Sequence, residues 1–278
     1  MAMDSVGLVT FTVQEGWTRT VYPDATVYAS PVSGNGERCQ LTVFPMRPAQ
    51  TNLFDAALAI FREIFRTEPL TGSPMPDATL FRGASPLGWD YVIVRKSMGG
   101  DAGYFGALMG AILLVARVGA DLGVVAATSK EPLPGMCFGD MVGRSWAAFF
   151  HSLRFMRARS RALDTAWRQR LAGAWSSETE TAAHRYAFAP NGRYAGAAVQ
   201  HRTQRSDTEV MVTTDAHFGD GVYSVEGNAI TFTPDEGSGV TRRVFRLEQE
   251  SRDRGHTWAD RLCLLTEGEG EVCYERDQ

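Results

Sequence analysis

From Gly173 to the end of the chain, short apolar segments are cut at near-even spacing by turn signals, and this punctuation constrains the fold more than any other feature. The signals are Pro190-Asn191-Gly192, Gly227-Asn228, Pro234-Asp235-Glu236-Gly237 and Glu267-Gly268-Glu269-Gly270. A chain that turns so often has no room for long helices, and strands so short are stable only when each pairs with neighbours on both sides. A small barrel or sandwich is therefore expected. Its strands are Gly173-Ala174-Trp175, Tyr186 to Phe188, Arg193-Tyr194, Gly221 to Val225, Ala229 to Thr233, Arg242 to Glu248, Leu262 to Leu265 and Val272 to Arg276. The stretch from Gln204 to Asp220 is polar and weakly patterned.

The first half has a different texture. Val9, Phe11 and Val13 alternate with threonines, the period of a half-buried strand, and Val27 to Ala29 and Cys39 to Phe44 continue a small meander that Pro45 and Pro48 stop. Asn52 then stands as an N-cap with Asp55 three residues on, and Phe54, Leu58, Phe61 and Phe65 recur at helical spacing. Strand-like runs return at Thr79 to Arg82, Trp89 to Arg95, Leu108 to Val118 and Leu122 to Thr128. The apolar density of the last two predicts a central hairpin covered on one face or both. Phe138, Val142, Trp146, Phe149 and Leu153 lie on one stripe of a second helix ending near Phe155. Three strands, a helix, several strands and a helix read as α+β, an antiparallel sheet between helices.

Two resemblances sharpen this reading. The run Phe11-Thr12-Val13-Gln14-Glu15-Gly16-Trp17, the helix after the third strand and the closing Trp146-Ala147-Ala148-Phe149-Phe150-His151-Ser152-Leu153-Arg154-Phe155 resemble the PsbP/DcrB-like αβα sandwich. That resemblance implies noncatalytic binding roles, among them photosystem assembly partners and chaperones of bacterial secretion effectors. Gly173-Ala174-Trp175 at the head of an up-and-down β pattern, with Arg276 on the last strand, is similar to a lipocalin-like calycin barrel. It implies that Trp175 closes one barrel end with the Arg276 guanidinium laid across its indole. The expected organisation is a PsbP/DcrB-like domain over residues 1–155, a linker and short helix over 156–170, and an all-β barrel over 171–278. The linker holds arginines at 157, 159, 161, 168 and 170 against the single acid Asp164, a solvated boundary or else an anion-binding strip.

Composition excludes several classes of function. A net charge of −4 supplies no cationic field, so no nucleic-acid partner is expected. The apolar stretch from Phe105 to Ala127 is broken by Arg117, Asp121 and four glycines, so no membrane span is expected. Met1-Ala2-Met3-Asp4-Ser5 lacks the basic start of an export signal, which predicts a cytoplasmic protein. Cys39, Cys137, Cys263 and Cys273 have no C-x-x-C spacing, and in a reducing compartment they are expected to be thiols, with Cys263 and Cys273 directly opposite across a hairpin. Lys96 and Lys130 are the only lysines and read as surface groups.

No motif names a reaction. The glycine-rich run 100–106 lacks a strand-to-helix setting for phosphate, and neither a G-x-S-x-G elbow nor an H-E-x-x-H pair occurs. His151 sits among helix aromatics, His217 between Asp215 and Asp220 is the nearest approach to a metal cluster, and His256 beside Gly255 reads as a turn rather than a haem ligand. Glu178 and Glu180 share a strand face as a solvated pair. No metal or cofactor is assigned. What remains is the aromatic set Trp175, Tyr186, Phe188, Tyr194, Tyr223, Phe232 and Phe245, joined by Arg276, which either fills a small barrel or lines a cup for one small apolar ligand. The function expected is a noncatalytic two-domain binding protein, the barrel holding such a ligand and the first domain contacting a protein. A secretion-effector chaperone or adaptor receiving an apolar helix is the alternative, and an uncharacterised enzyme the third.

Overall fold

The computed structural model describes residues 2–13, 15–32, 38–65, 78–98, 108–131, 147–156, 164–178, 182–205, 210–216, 219–237, 239–252, 257–266 and 270–277. The chain divides into two compact units, one of residues 1–160 with Glu248–Trp258, the other of Arg161–Leu247 with Ala259–Gln278.

In the first unit the two densest apolar runs form β9 (Leu108–Val118) and β10 (Asp121–Glu131), an antiparallel hairpin in which Val118 faces Asp121. Outward from β10 the sheet continues through β5 (Arg38–Val43), β4 (Thr26–Ala29) and β3 (Thr18–Val21). Outward from β9 it continues through β8 (Trp89–Met98), β7 (Ala78–Ser85) and the segment Glu248–Glu250, where Glu250 faces Phe81. The short β6 (Arg47–Pro48) pairs with the start of β10.

Both faces of this sheet are covered. Helix α1 (Leu53–Phe65) lays Ala57, Leu58 and Phe61 on Val92, Val94, Leu113, Val115 and Val124. The opposite face, through Tyr91, Ile93, Ile112 and Leu114, packs against β2 (Val9–Val13) and α2 (Ala147–Ser152) by way of Phe11, Phe149 and Phe150. Alternate residues of one strand thus enter different cores, and burial on both sides is why β8 to β10 read as continuous apolar runs. Asn52 caps α1 as expected, its Oδ1 accepting from Asp55 N at 2.9 Å. The strand β1 (Ala2–Val6), which sequence reading missed, pairs with β2, and Tyr28 donates to Asp4 Oδ2 at 2.9 Å. Burial and that carboxylate push the Tyr28 phenol up to about 12.

The expected second helix ends earlier than near Phe155. Its described part is 147–152, and Arg154–Phe155 form β11, paired with β2. Phe155 then lies so close to the sheet that a Cβ at Gly123 would come within 2.2 Å of its ring. A glycine is required there by close approach, which apolar periodicity does not register. Phe138, Val142 and Trp146, the rest of the expected stripe, lie outside the described residues.

The second unit holds a closed eight-stranded antiparallel barrel, compatible with a lipocalin-like fold. Its strands are β12 (Gly173–Glu178), β13 (Ala182–Phe188), β14 (Arg193–Arg205), β16 (Gly221–Glu226), β17 (Ala229–Pro234), β18 (Thr241–Arg252), β19 (Thr257–Thr266) and β20 (Gly270–Arg276). Closure comes where Trp175 of β12 faces Arg276 of β20. The far part of β14 pairs instead with β15 (Val210–Ala216), in the stretch that had looked poorly patterned. Helix α3 (Asp164–Leu171) contributes Trp167 and Leu171 to the barrel core. With helices of 13, 6 and 8 residues against twenty strands, the described residues are mostly β, and the α+β class expected from the sequence is not confirmed.

The hairpin of β19 and β20 puts Cys263 directly opposite Cys273, as expected, but the two are joined in a disulfide rather than left as thiols. Cys39 is disulfide-bonded as well, and Cys137 lies outside the described residues. The thiol expectation rested on a cytoplasmic placement inferred from the N-terminal residues, and the cysteines themselves are paired. No helix among the described residues is long and apolar enough to cross a membrane.

Candidate functional site

Strand alternation sorts the second unit's side chains. Tyr186 and Phe188 of β13, Tyr194 of β14, Tyr223 of β16, Phe232 of β17, Phe245 of β18 and Tyr274 of β20 all point inward and are buried. They meet edge to face and stacked: Tyr186 with Phe188 at 5.7 Å, Phe188 with Tyr223 at 5.0 Å, Tyr194 with Phe232 at 5.1 Å. Most of the expected ligand set is thus core.

Trp175 and Arg276 belong to one end of this core. The Arg276 guanidinium lies 4.4 Å from the Trp175 ring centre, with its Nη1 and Nη2 donating to the carbonyls of Ala172 and Arg170. Trp175 Nε1 donates to the Leu171 carbonyl at 2.7 Å. The two side chains therefore satisfy the carbonyls that the end of α3 leaves open, a capping role the sequence did not announce. Phe188, Tyr223 and Phe245 are packed among other rings, Phe245 against Trp167 at 5.6 Å. Two linker arginines are likewise tied to aromatic rings: Arg170 lies 4.3 Å from the Trp167 ring centre and Arg168 5.9 Å from that of Tyr223.

A partly open pocket of about 160 Å³ lies beside the barrel core, with Tyr186, Tyr194 and Phe232 as aromatic walls. Gly219 and Gly239 leave its rim open, Pro234 adds an apolar edge, and Thr241 and Arg243 bring polar groups. The Tyr194 ring lies against the backbone of Gly221, where a Cβ would fall 2.7 Å from its Cε1 and 2.3 Å from the Thr233 carbonyl oxygen, so only glycine permits that wall. Arg243 Nη1 donates to the Tyr186 hydroxyl at 3.0 Å. Burial pushes the Tyr186 phenol well above its ordinary range despite the nearby guanidinium, so it meets a ligand as a neutral hydroxyl. Burial, then the charges of Asp235 and Asp220, raise Tyr194 in the same direction.

Of the eight expected ligand-binding residues the pocket brings together three, Tyr186, Tyr194 and Phe232. Arg243 was missed, although a signal existed: it shares strand parity with Phe245 and Leu247, so the alternation that buries those two turns a cation inward. Among the expected alternatives, His151 is 6% exposed and packs edge-on to Phe150, a core position. His217, His256, Glu180 and the 100–106 run lie outside the described residues.

No family model matches the chain, nor does any curated protein. Among solved structures, a crystal structure from Bacteroides thetaiotaomicron aligns at 10% identity with a TM-score of 0.32, covering 62% of this chain. The aligned part spans 50% of that chain's length.

Proposed function

We propose that this is a noncatalytic binding protein whose barrel takes one small, mainly apolar ligand in the pocket walled by Tyr186, Tyr194 and Phe232. The observation that carries the reading is the pocket itself, a partly open space of about 160 Å³ with three aromatic walls. An engineered apolar cavity of about 150 Å³ admits benzene, whereas sites for drug-sized molecules run to roughly 300–1,000 Å³. The ligand is accordingly one ring in size. The test is a titration of the full chain with benzyl alcohol followed by NMR. Saturable binding with a Kd on the order of 1 mM is expected for so few atoms. A Cβ at Gly219 meets only Pro234, at 3.9 Å, so Gly219→Leu should fold and occlude the space. Absence of binding, or binding indifferent to Gly219→Leu, would remove the reading.

For the first unit we propose the PsbP/DcrB-like αβα arrangement and a protein partner. Support comes from a sheet covered by α1 on one face and by α2 with β2 on the other. Every residue of the outer strand β3 is exposed, the property of a sheet edge that accepts a further strand. The paired cysteines favour an oxidising compartment over the cytoplasmic placement read from the N-terminus.

A further inference from the structure

We propose that the barrel pocket is selective for a carboxylate: its ligand is a one-ring organic acid of the benzoate type, whose ring lies among Tyr186, Tyr194 and Phe232 and whose carboxylate is held by Arg243. This rests on the binding reading above and specifies the chemical class of the ligand.

The argument begins with what Arg243 lacks. A guanidinium carries five N–H donors and always holds its charge. The other barrel arginines found near acids are paired with them: Arg193 with Asp235, Arg246 with Glu271 at 2.6 Å and Arg276 with Asp260 at 3.2 Å. Arg243 has a phenol oxygen as acceptor and, among the described residues, no carboxylate within ion-pair distance. Its Nε is buried without a hydrogen-bond acceptor, as is that of Arg276, but Arg276 has Asp260 beside it. An unpaired cation on an aromatic wall is costly for a folded protein to keep, and an anion entering the pocket would recover that cost.

The surroundings favour a carboxylate on a ring. Tyr194 lines the same pocket and carries a hydroxyl able to donate a second hydrogen bond. Two acids lie near the pocket, Asp235 and Asp220, whose charges both act on Tyr194, and Asp235 is held through both oxygens by Arg193. A planar fork of N–H donors matches a carboxylate in two-point fashion, while the remaining walls offer ring faces and no acidic group.

The experiment compares two probes of equal ring size, benzoate and benzyl alcohol, on the full chain at neutral pH. Benzoate is expected to bind about tenfold or more tightly than benzyl alcohol, as a charge-assisted contact in a partly closed site requires. Arg243→Gln should erase that preference by weakening benzoate far more than benzyl alcohol, Arg243→Lys should keep part of it, and Tyr194→Phe should reduce it by a smaller factor. Matching thermal melts for Arg243→Gln and the parent confirm that the comparison is between folded proteins. If benzoate binds no better than benzyl alcohol, or its preference survives in Arg243→Gln, the carboxylate assignment is overturned and the barrel reading stands. If neither probe binds, both fall together.

Discussion

Trp175 and Arg276 illustrate how one contact serves several needs at the level of the residue. The indole fills the end of the barrel core at 0% exposure, and the guanidinium stacks on it while spanning two helix-end carbonyls. Removing the indole leaves a cavity that the surrounding rings fill only in part, so Trp175→Ala should cost ~3–5 kcal/mol. Arg276→Ala should cost about 1–3 kcal/mol, through stacking and two charge-assisted hydrogen bonds. Each substitution removes the shared contact, so the double variant should lose less than the sum. Urea melts of the full chain and the three variants measure this cycle. Additive losses would show that the stacking contributes nothing and that Arg276 acts through the carbonyls and its ion pair with Asp260.

At the level of the element, the β19 and β20 hairpin carries the next expectation. Its disulfide closes a loop of ten residues' separation, which in a chain-entropy account limits the unfolded state by ~2–3 kcal/mol. Replacing Cys263 and Cys273 together with alanine should lower stability by about that amount, and an unchanged denaturation midpoint would mean the paired strands already restrict the unfolded chain. The elements also mark where sequence reading succeeded. The eight barrel strands were legible because inward aromatics alternate and turn residues sit between them, and α1 because its cap and apolar stripe agree. Strand β3 was not, since all four of its residues are exposed and no alternation records a core. The second helix was carried too far, to near Phe155, because the stripe through Phe149 and Leu153 does not register that Phe155 has passed into a strand against Val9. At the pocket, aromatic content pointed to three walls and overlooked Arg243, because a charge was read as solvated without asking which face its strand parity gave it.

At the scale of the whole molecule, the chain is not two consecutive segments. Residues 248–258 belong with the first unit, where Glu248, Gln249 and Glu250 face Gly83, Arg82 and Phe81 across β7. Side chains reinforce the pairing: Arg82 Nε donates to Gln249 Oε1 at 3.0 Å, and Leu80 N donates to Ser251 Oγ at 3.1 Å. Trp258 lies edge-on to Phe54 at 6.2 Å, with the Arg82 guanidinium 4.1 Å from its ring centre. A fragment ending at Ser160 loses all of these and leaves β7 as an unpaired edge, which favours association with other chains. Such a fragment should therefore melt below the first transition of the intact protein and should self-associate. A synthetic peptide spanning residues 246–260 should raise its melting temperature and restore the monomer, because binding to the native form alone stabilises it by an amount that grows with the logarithm of peptide concentration. The peptide carrying Trp258→Ala and Gln249→Ala should do so more weakly, since it keeps the main-chain pairing and loses the ring contacts and one hydrogen bond. A fragment that is monomeric and as stable without peptide as with it would show that β7 needs no partner, and that residues 248–258 add nothing to the first unit's stability.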